Sequence, residues 1–327
     1  MVNVRDSLAC WLTCGLIASV AAPAAALELG LPLACEPGRD CWVVRYVDHD
    51  PGSGFTDFRC GVLGSDGHDG TDFAIADPQR MAGGVEVLAS AAGTVRGVRD
   101  GVPDQPPDGR LSHDFGQQNC GNGVLLTHAD GWETQYCHLR QGSVRVAVGD
   151  QVAAGQALGL VGMSGEANFP HVHLSVRHDG SAVDPYTGAA LPEACGQPGP
   201  ALWRVTPEYE EVPIAVVGLT DHVPDRDAIV AGTAAAPLRQ GSAALVGYFL
   251  AYGLRAGDRV ALGIRGPDGG SVSQAAFVQD QDAPRATRAA GKRAPAGGWA
   301  PGDYRVVVEV RREGRSFTRA AAFTIPQ

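Results

Sequence analysis

Short apolar runs separated by glycine-rich turns fill the chain from about residue 60 to residue 185. This spacing is typical of β-strands rather than of long helices. Residues 129–131 form a turn between two such runs and predict a hairpin. Residues 101–119 interrupt the rhythm with Pro, Asp and Gly and predict a long inserted loop. The runs lie at residues 85–89, 93–98, 124–127, 134–138, 144–148 and 157–161.

A second region of short strands follows a break at residues 192–200. Its spacing and alternation predict a small β-sandwich of immunoglobulin-like type at 203–327. Residues 299–304 predict a turn that enters a strand, whereas the polar, Pro/Ala/Gly-rich residues 281–298 predict a mobile loop. Apolar runs in this region lie at residues 214–217, 245–250, 259–262 and 304–310. The expected fold class is therefore all-β.

The first 26 residues have the features of an export signal. Arg5 lies in a short polar start, an apolar run covers residues 8–20, and small residues end at Ala26. The apolar core is short for a membrane span. We therefore expect a cleaved signal peptide at 1–26 and no stable membrane span afterwards, with an uncleaved N-terminal anchor as the alternative.

Composition narrows the function classes. The formal net charge of −10 and the absence of a basic cluster disfavour nucleic-acid binding.

Cleavage after Ala26 leaves six cysteines, and an even count in an exported chain predicts disulfides. Sequence alone does not fix the pairing among Cys35, Cys41, Cys60, Cys120, Cys137 and Cys195. A turn favours Cys35–Cys41 and the hairpin favours Cys120–Cys137, which would leave Cys60 with Cys195; free buried thiols are the weaker alternative.

Nine histidines occur, so spacing has to select those that carry chemistry. His171 and His173 share one face if they lie on a strand, because side chains alternate there. His68 and Asp72 are separated by a glycine-containing turn that can bring both onto one ion. His138 ends the predicted hairpin. Imidazole and carboxylate are ligands that Zn²⁺ accepts, and a catalytic site keeps one position for water. Each pattern is weak alone and gains weight because all occur in one region.

These residues resemble the lysostaphin-type or LytM-type zinc endopeptidases, whose domain carries a duplicated hybrid motif of antiparallel β-sheets. Five separated elements match in the family's order. They are HDGTDFAIAD from residue 68, GVEVLASAAGTVRG from 84, GNGVLLTHADGWETQYCHL from 121, VGDQVAAGQALGLVGMSG from 148 and HVHLSVRHDGSAVDP from 171. The implied organisation is a signal peptide at 1–26, a Cys-containing lead-in at 27–59, a zinc peptidase domain at 60–191, and a β-sandwich domain of unknown role at 203–327.

The resemblance also implies roles. His68, Asp72 and His173 would bind one Zn²⁺, and His138 and His171 would lie beside a metal-activated water as catalytic groups. The expected activity is a zinc metalloendopeptidase that hydrolyses stem-peptide or cross-bridge bonds of peptidoglycan, in the periplasm or outside the cell. Three features depart from the family pattern: the inserted loop, Cys137 and the segment before His68. Because of these departures, the resemblance does not define the shape of the substrate groove.

Two other functions share this pattern. Some family members have lost ligands and act as non-catalytic activators of a cell-wall amidase; the presence of all five polar residues here favours an enzyme. An enzyme of this fold acting on a non-wall protein is the other alternative. The sequence leaves open the bond cleaved and the oligomeric state.

Overall fold

A computed structural model describes residues 27–106 and 115–327. The predicted export signal and the middle of the predicted inserted loop lie outside the described residues. Within them, no helix has the length and apolar character that crossing a bilayer requires.

The first structural unit is an antiparallel β-sheet with a small two-stranded ribbon beside it. Its elements are β1 (Cys41–Arg45), β2 (Thr71–Ile75), α1 (Pro78–Ala82), β3 (Glu86–Leu88), β4 (Gly93–Arg99), β5 (Asn122–Thr127), β6 (Trp132–Leu139), β7 (Gln151–Val152), β8 (Ala157–Leu160), β9 (His171–His178) and β10 (Ser181–Ala182). The sheet has the order β1-β2-β9-β6-β5-β4-β7, with β10 paired to β9, and the ribbon pairs β3 with β8. The short helix α1 follows β2.

Strand β9 shows why the sequence folds this way. Val172, Leu174 and Val176 are fully buried and form the core side of the strand. The alternate positions His171 and His173 face a cleft on the opposite side. The two-residue period of a strand therefore separates packing from chemistry.

Most of the predicted strands are present. Those expected at 85–89, 93–98, 124–127, 134–138 and 157–161 correspond to β3, β4, β5, β6 and β8, and the hairpin of β5 and β6 is confirmed. The apolar run at 144–148 is not a strand. There the carboxylates of Asp100 and Asp150 accept from the backbone N–H groups of Val144 and Ala147, so side chains replace a strand partner.

The segment before residue 60 is part of this sheet. β1 pairs with β2 and forms the sheet edge, and Leu29 forms a parallel bridge with Trp203. Trp42 and Tyr46 are among the largest fully buried side chains of the chain. The lead-in thus supplies both a strand and core residues to the unit that carries the cleft.

The second unit consists of two antiparallel sheets. Its elements are β11 (Ile214–Thr220), α2 (Arg226–Val230), β12 (Ala244–Leu254), β13 (Arg259–Arg265), β14 (Ser271–Val278), β15 (Ala283–Arg293), β16 (Gly302–Arg312) and β17 (Arg315–Ile325). The strand orders of the two sheets are β11-β12-β15 and β14-β13-β16-β17. Gly247 on β12 lies directly against Val306, Ile264 and Leu262 of the opposite sheet, so the two sheets pack face to face as a sandwich. The immunoglobulin-like type remains a prediction.

The mobile loop predicted at 281–298 is wrong for most of its length. Ala283–Arg293 is the eleven-residue strand β15, paired with β12 from Leu254↔Ala283 to Ala244↔Arg293. β12 is almost entirely buried and requires a ladder partner on both edges. Gly291 permits the close approach, because a Cβ there would lie 2.1 Å from the Leu245 carbonyl oxygen. The small residues that suggested a loop instead allow β15 to pack closely against β12.

The two units share one hydrophobic core. Tyr248, Leu250 and Tyr252 of β12 belong to the same buried cluster as the strands of the first unit. The Arg319 guanidinium of β17 also lies 4.5 Å from the ring centroid of Trp42 in β1. The sandwich is therefore packed against the unit with the cleft.

Three disulfides close the fold. They join Cys35 to Cys41, Cys60 to Cys195, and Cys120 to Cys137, which are the pairs favoured from the sequence. Disulfides of this kind are typical of proteins exported to an oxidising compartment.

Replacing both Cys60 and Cys195 with Ser should destabilise the protein more than replacing Cys35 and Cys41. The first pair spans 135 residues and the second only 6, and loop-closure entropy gives about 5 against about 2 kcal/mol. Urea unfolding of the two double variants measures the difference. An equal loss of unfolding free energy in both would contradict this entropic account.

Candidate metal centre

Three side chains meet at one point of the cleft. His68 Nε2 lies 3.1 Å from Asp72 Oδ1, and His173 Nδ1 lies 2.9 Å from the same oxygen. The two ring nitrogens are 3.1 Å apart. Sequence reasoning grouped these three residues as metal ligands, and the structure brings them together.

Strand pairing places two of the three. Asp72 on β2 is the direct register partner of His173 on β9, so their side chains project from the same side of the sheet. His68 reaches the pair from the turn before β2. Gly70 in that turn packs against the site, because a Cβ there would lie 2.5 Å from His173 Nε2 and 2.6 Å from the Leu174 carbonyl oxygen.

Hydrogen bonds to the far side of each imidazole orient the rings. His68 Nδ1 donates to the Tyr46 carbonyl oxygen at 2.7 Å, which leaves the Nε2 lone pair facing Asp72. His173 Nε2 lies 2.9 Å from Ser175 Oγ and 3.2 Å from Asp69 Oδ1, which places the ring proton on that nitrogen and turns Nδ1 inward. Such partners fix the tautomer of ligand histidines.

His138 and His171 lie beside the trio. Their ring centroids are 4.6 Å apart, and His171 Nε2 is 3.6 Å from Asp72 Oδ2. Each Nδ1 donates to a backbone carbonyl oxygen at 2.8 Å, of Ser164 for His138 and of Phe169 for His171. Both Nε2 atoms are therefore left free of these bonds. All five histidine and aspartate residues expected at the site line one cleft of about 440 Å³.

The backbone at His138 is unusual. Its φ of 65° lies in the left-handed region, which few non-glycine residues adopt. The Cys120–Cys137 disulfide adjoins it, and the His138 N–H donates to the Cys120 carbonyl oxygen at 2.8 Å. The disulfide thus anchors the strand end that carries this imidazole, which gives Cys137 a physical role.

Burial and neighbouring charges shift the pKa values of His138, His171, His173 and Asp72. Burial, with repulsion from His171 and His173, holds the pKa of His138 well below its usual range. Burial also lowers the pKa of His171 to about 4, against the attraction of Asp72. Burial opposes protonation of the metal-free His173 ring, but hydrogen bonds to Asp69 and Asp72 raise its pKa to about 9. A metal ion bound at Nδ1 would take the place of the proton on that nitrogen. Burial opposes ionisation of Asp72, yet the neighbouring imidazoles hold its pKa well below the ordinary value.

The donor set fits zinc. Two imidazole nitrogens and one carboxylate oxygen are the ligands of many catalytic zinc sites, and ligand atoms at 2.0–2.1 Å in a tetrahedron lie about 3.3 Å apart. The three candidate ligand atoms are 2.9 to 3.1 Å apart, which is close to this tetrahedral ligand–ligand distance. Because His68, Asp72 and His173 converge from one side, the opposite side faces the cleft.

Sequence reasoning missed the groups that hold these side chains in place. The carbonyls of Tyr46 and Ser164 orient His68 and His138, but a backbone oxygen carries no residue-type signal. Asp69 lies 3.2 Å from His173 Nε2. Its position between His68 and Gly70 in the sequence is the signal that could have identified it. Arg45 of β1 also lines the cleft and came from a segment treated as a lead-in.

Comparison with known proteins places this arrangement in a family. The model of peptidase family M23 matches residues 66–185, the segment that holds all five side chains. The chain therefore carries a peptidase domain of the LytM-type family, as its sequence motifs predicted.

Curated relatives are similar over that domain. The cell division protein DipM of Caulobacter vibrioides is 35% identical over 105 residues, which cover 32% of this chain and 14% of DipM. The DD-carboxypeptidase/endopeptidase Mpg of Neisseria meningitidis serogroup B is 32% identical over 118 residues, covering 35% of this chain and 24% of Mpg. The murein hydrolase activator EnvC of Escherichia coli is 35% identical over 94 residues, covering 28% of this chain and 22% of EnvC. This chain thus spans a quarter or less of the length of each of these relatives.

Replacing Gly70 with Ala should weaken zinc binding while the sheet stays folded. The added methyl group collides with His173 Nε2 and displaces the ring from Asp72. Competition with a zinc-sensitive dye measures the affinity, and circular dichroism checks the fold. Gly142→Ala is a useful comparison, since nothing lies within 4 Å of a Cβ there and any cost comes from its positive φ alone. Unchanged zinc affinity in Gly70→Ala would show that the turn does not position His173.

Proposed function

We propose that this protein is a zinc metalloendopeptidase that hydrolyses peptide bonds of bacterial peptidoglycan. The observation that carries the proposal is the convergence of His68, Asp72 and His173 within 3.1 Å of one another in an open cleft. Membership of peptidase family M23 supports the reaction class. The names of Mpg and EnvC, which refer to peptide cleavage and to murein, support the substrate.

His68 and His173 would each give one ring nitrogen to the zinc ion and Asp72 one carboxylate oxygen. When bound, zinc supplies Lewis acidity, which activates water and polarises a carbonyl group. The hydrogen bonds to the Tyr46 carbonyl and to Ser175 hold the imidazoles in the tautomers that this requires.

His138 and His171 would handle protons. Each has Nδ1 committed to a backbone carbonyl and Nε2 available to the cleft. Burial keeps both rings neutral, so that each can accept a proton and return it to the leaving amine. Their protonated forms would also stabilise negative charge that develops on the scissile carbonyl oxygen.

The three disulfides support an exported protein. We infer that it works in the periplasm or outside the cell, where peptidoglycan is present. The β-sandwich packs against the peptidase unit through a common core, which favours a structural contribution from this domain.

Replacing His138 with Ala should abolish hydrolysis and leave zinc bound. General acid–base groups contribute roughly 10²- to 10⁴-fold to rate, and His138 is not one of the three ligands. Release of soluble fragments from purified peptidoglycan, analysed by mass spectrometry, measures the activity and identifies the bond. His222→Ala is the control, because His222 lies half exposed in the sandwich, away from the cleft. Retention of full activity in His138→Ala would remove this residue from the mechanism.

Treatment with EDTA separates the enzyme from an activator of the EnvC kind. An enzyme should lose hydrolysis of purified peptidoglycan and regain it when zinc is added, since the ligand trio has to hold the ion. An activator should release no fragments by itself but should stimulate a purified amidase whether or not zinc is present. Cleavage of other proteins but not of peptidoglycan would instead indicate a peptidase with a different substrate.

A further inference from the structure

Arg45 lies in the cleft and has no hydrogen-bond partner for its side chain among the described residues. The Arg45 side chain is 30% exposed, and its guanidinium lies 3.7 Å from Asp72 Oδ2, beyond hydrogen-bond distance. Across residues 27–106 and 115–327 its guanidinium makes no hydrogen bond. Its N–H groups are therefore available to an acceptor that enters the cleft.

A β-bulge brings this residue to the site. β1 and β2 run in register from Cys41↔Ile75 to Val43↔Phe73, and the register then shifts so that Arg45 rather than Val44 lies opposite Asp72. Val44 is buried, whereas Arg45 lines the cleft. Bulges commonly re-aim a side chain beside an active site. The row Arg45, Asp72, His173 thus crosses three adjacent strands.

A second arginine of the cleft, Arg177, differs from Arg45. Arg177 donates to Gln135 Oε1 at 2.8 Å and to Asp69 Oδ2 at 2.9 Å, so its guanidinium is occupied and its charge compensated. Among the residues that the structure describes, the one carboxylate within ion-pair distance of Arg45 belongs to Asp72, which we assign to the metal. With that carboxylate committed, Arg45 retains its charge for a ligand.

Arg45 lies close to the groups that we assign to the reaction. His171 Nε2 lies 3.6 Å from the same Asp72 oxygen that Arg45 approaches, so the two side chains flank one point. The guanidinium carbon is 5.4 Å from the Phe169 ring centroid, and the Phe169 ring stacks on His171. These contacts hold the Arg45 guanidinium on the side of the cleft where His171 lies, one of the two proposed catalytic histidines.

We propose that Arg45 is a specificity-determining residue that binds a free carboxylate of the peptide substrate close to the scissile bond. This inference rests on the proposed peptidase function and refines its substrate class. A planar guanidinium with free N–H groups pairs with a carboxylate through two parallel hydrogen bonds. The substrate would therefore be an acidic stem peptide rather than an amidated peptide or a glycine cross-bridge.

The test compares two labelled, cross-linked stem peptides that differ only in having free carboxylates or carboxamides. Equilibrium binding is measured by fluorescence anisotropy on zinc-loaded protein with His138→Ala, in which turnover is disabled. The free acid should bind about 10-fold more tightly than the amide. Arg45→Gln should reduce acid binding to the level of the amide, and Arg45→Lys should restore part of the preference. Arg145→Gln, an exposed arginine paired with Glu86 outside the cleft, should behave as the parent.

Three outcomes overturn the inference: equal binding of acid and amide, equal loss of both in Arg45→Gln, or no binding of either peptide. Hydrolysis by the zinc-loaded parent is measured separately. If the acid preference depends on Arg45 but the parent cleaves neither peptide, the carboxylate site stands and the proposed peptidase function fails. If the parent cleaves both peptides equally well and Arg45→Gln does the same, the function stands and the inference fails.

Discussion

The antiparallel pairing of β2 with β9 is the interaction on which the cleft depends. It sets Asp72 directly opposite His173 and leaves Phe73 and Val172 on the other side of the sheet, in the core. A shift of β9 by one residue in this register would move His171 and His173 into the core and Val172 into the cleft. Hydrophobic burial on one face therefore fixes the ligand geometry on the other.

A second constraint is the use of backbone carbonyls to fix imidazoles. Three of the four histidines in the cleft donate Nδ1–H to such an oxygen, so their orientation is set by strand ends and turns. Backbone groups keep their acceptor character at every pH, which makes the orientation independent of the charge state of the site. The backbone of His138 is left-handed, so one of these histidines combines a fixed ring with local backbone strain.

Sequence reasoning recovered the parts that local pattern encodes. The alternation around His171 predicted a strand with both imidazoles on one face, and the resemblance of the separated motifs to the LytM-type family implied the ligand trio. The residue spacing also favoured the three disulfides. What it could not supply depends on contacts between distant segments. β1 joins the sheet only because β2 offers an edge, and the bulge that turns Arg45 into the cleft leaves no mark in the sequence.

The same limit explains β15. Its Ala-, Arg- and Gly-containing sequence suggests a loop, and its strand conformation follows from the buried β12 that it pairs with. The packing of the sandwich against the peptidase unit is likewise encoded by core residues spread over both units. Arg285 of β15 donates to the Asn168 carbonyl oxygen at 2.9 Å, three residues before His171, which lines the cleft. The sandwich thus contacts the loop that leads into the site.

The central claim is that His68, Asp72 and His173 together hold one zinc ion. The most direct measurement is the zinc content of the parent protein and of His173→Ala after dialysis, by elemental mass spectrometry, with folding of both confirmed by circular dichroism. The account predicts about one zinc per chain in the parent and nearly none in the folded variant. A folded His173→Ala protein that keeps one tightly bound zinc would contradict it.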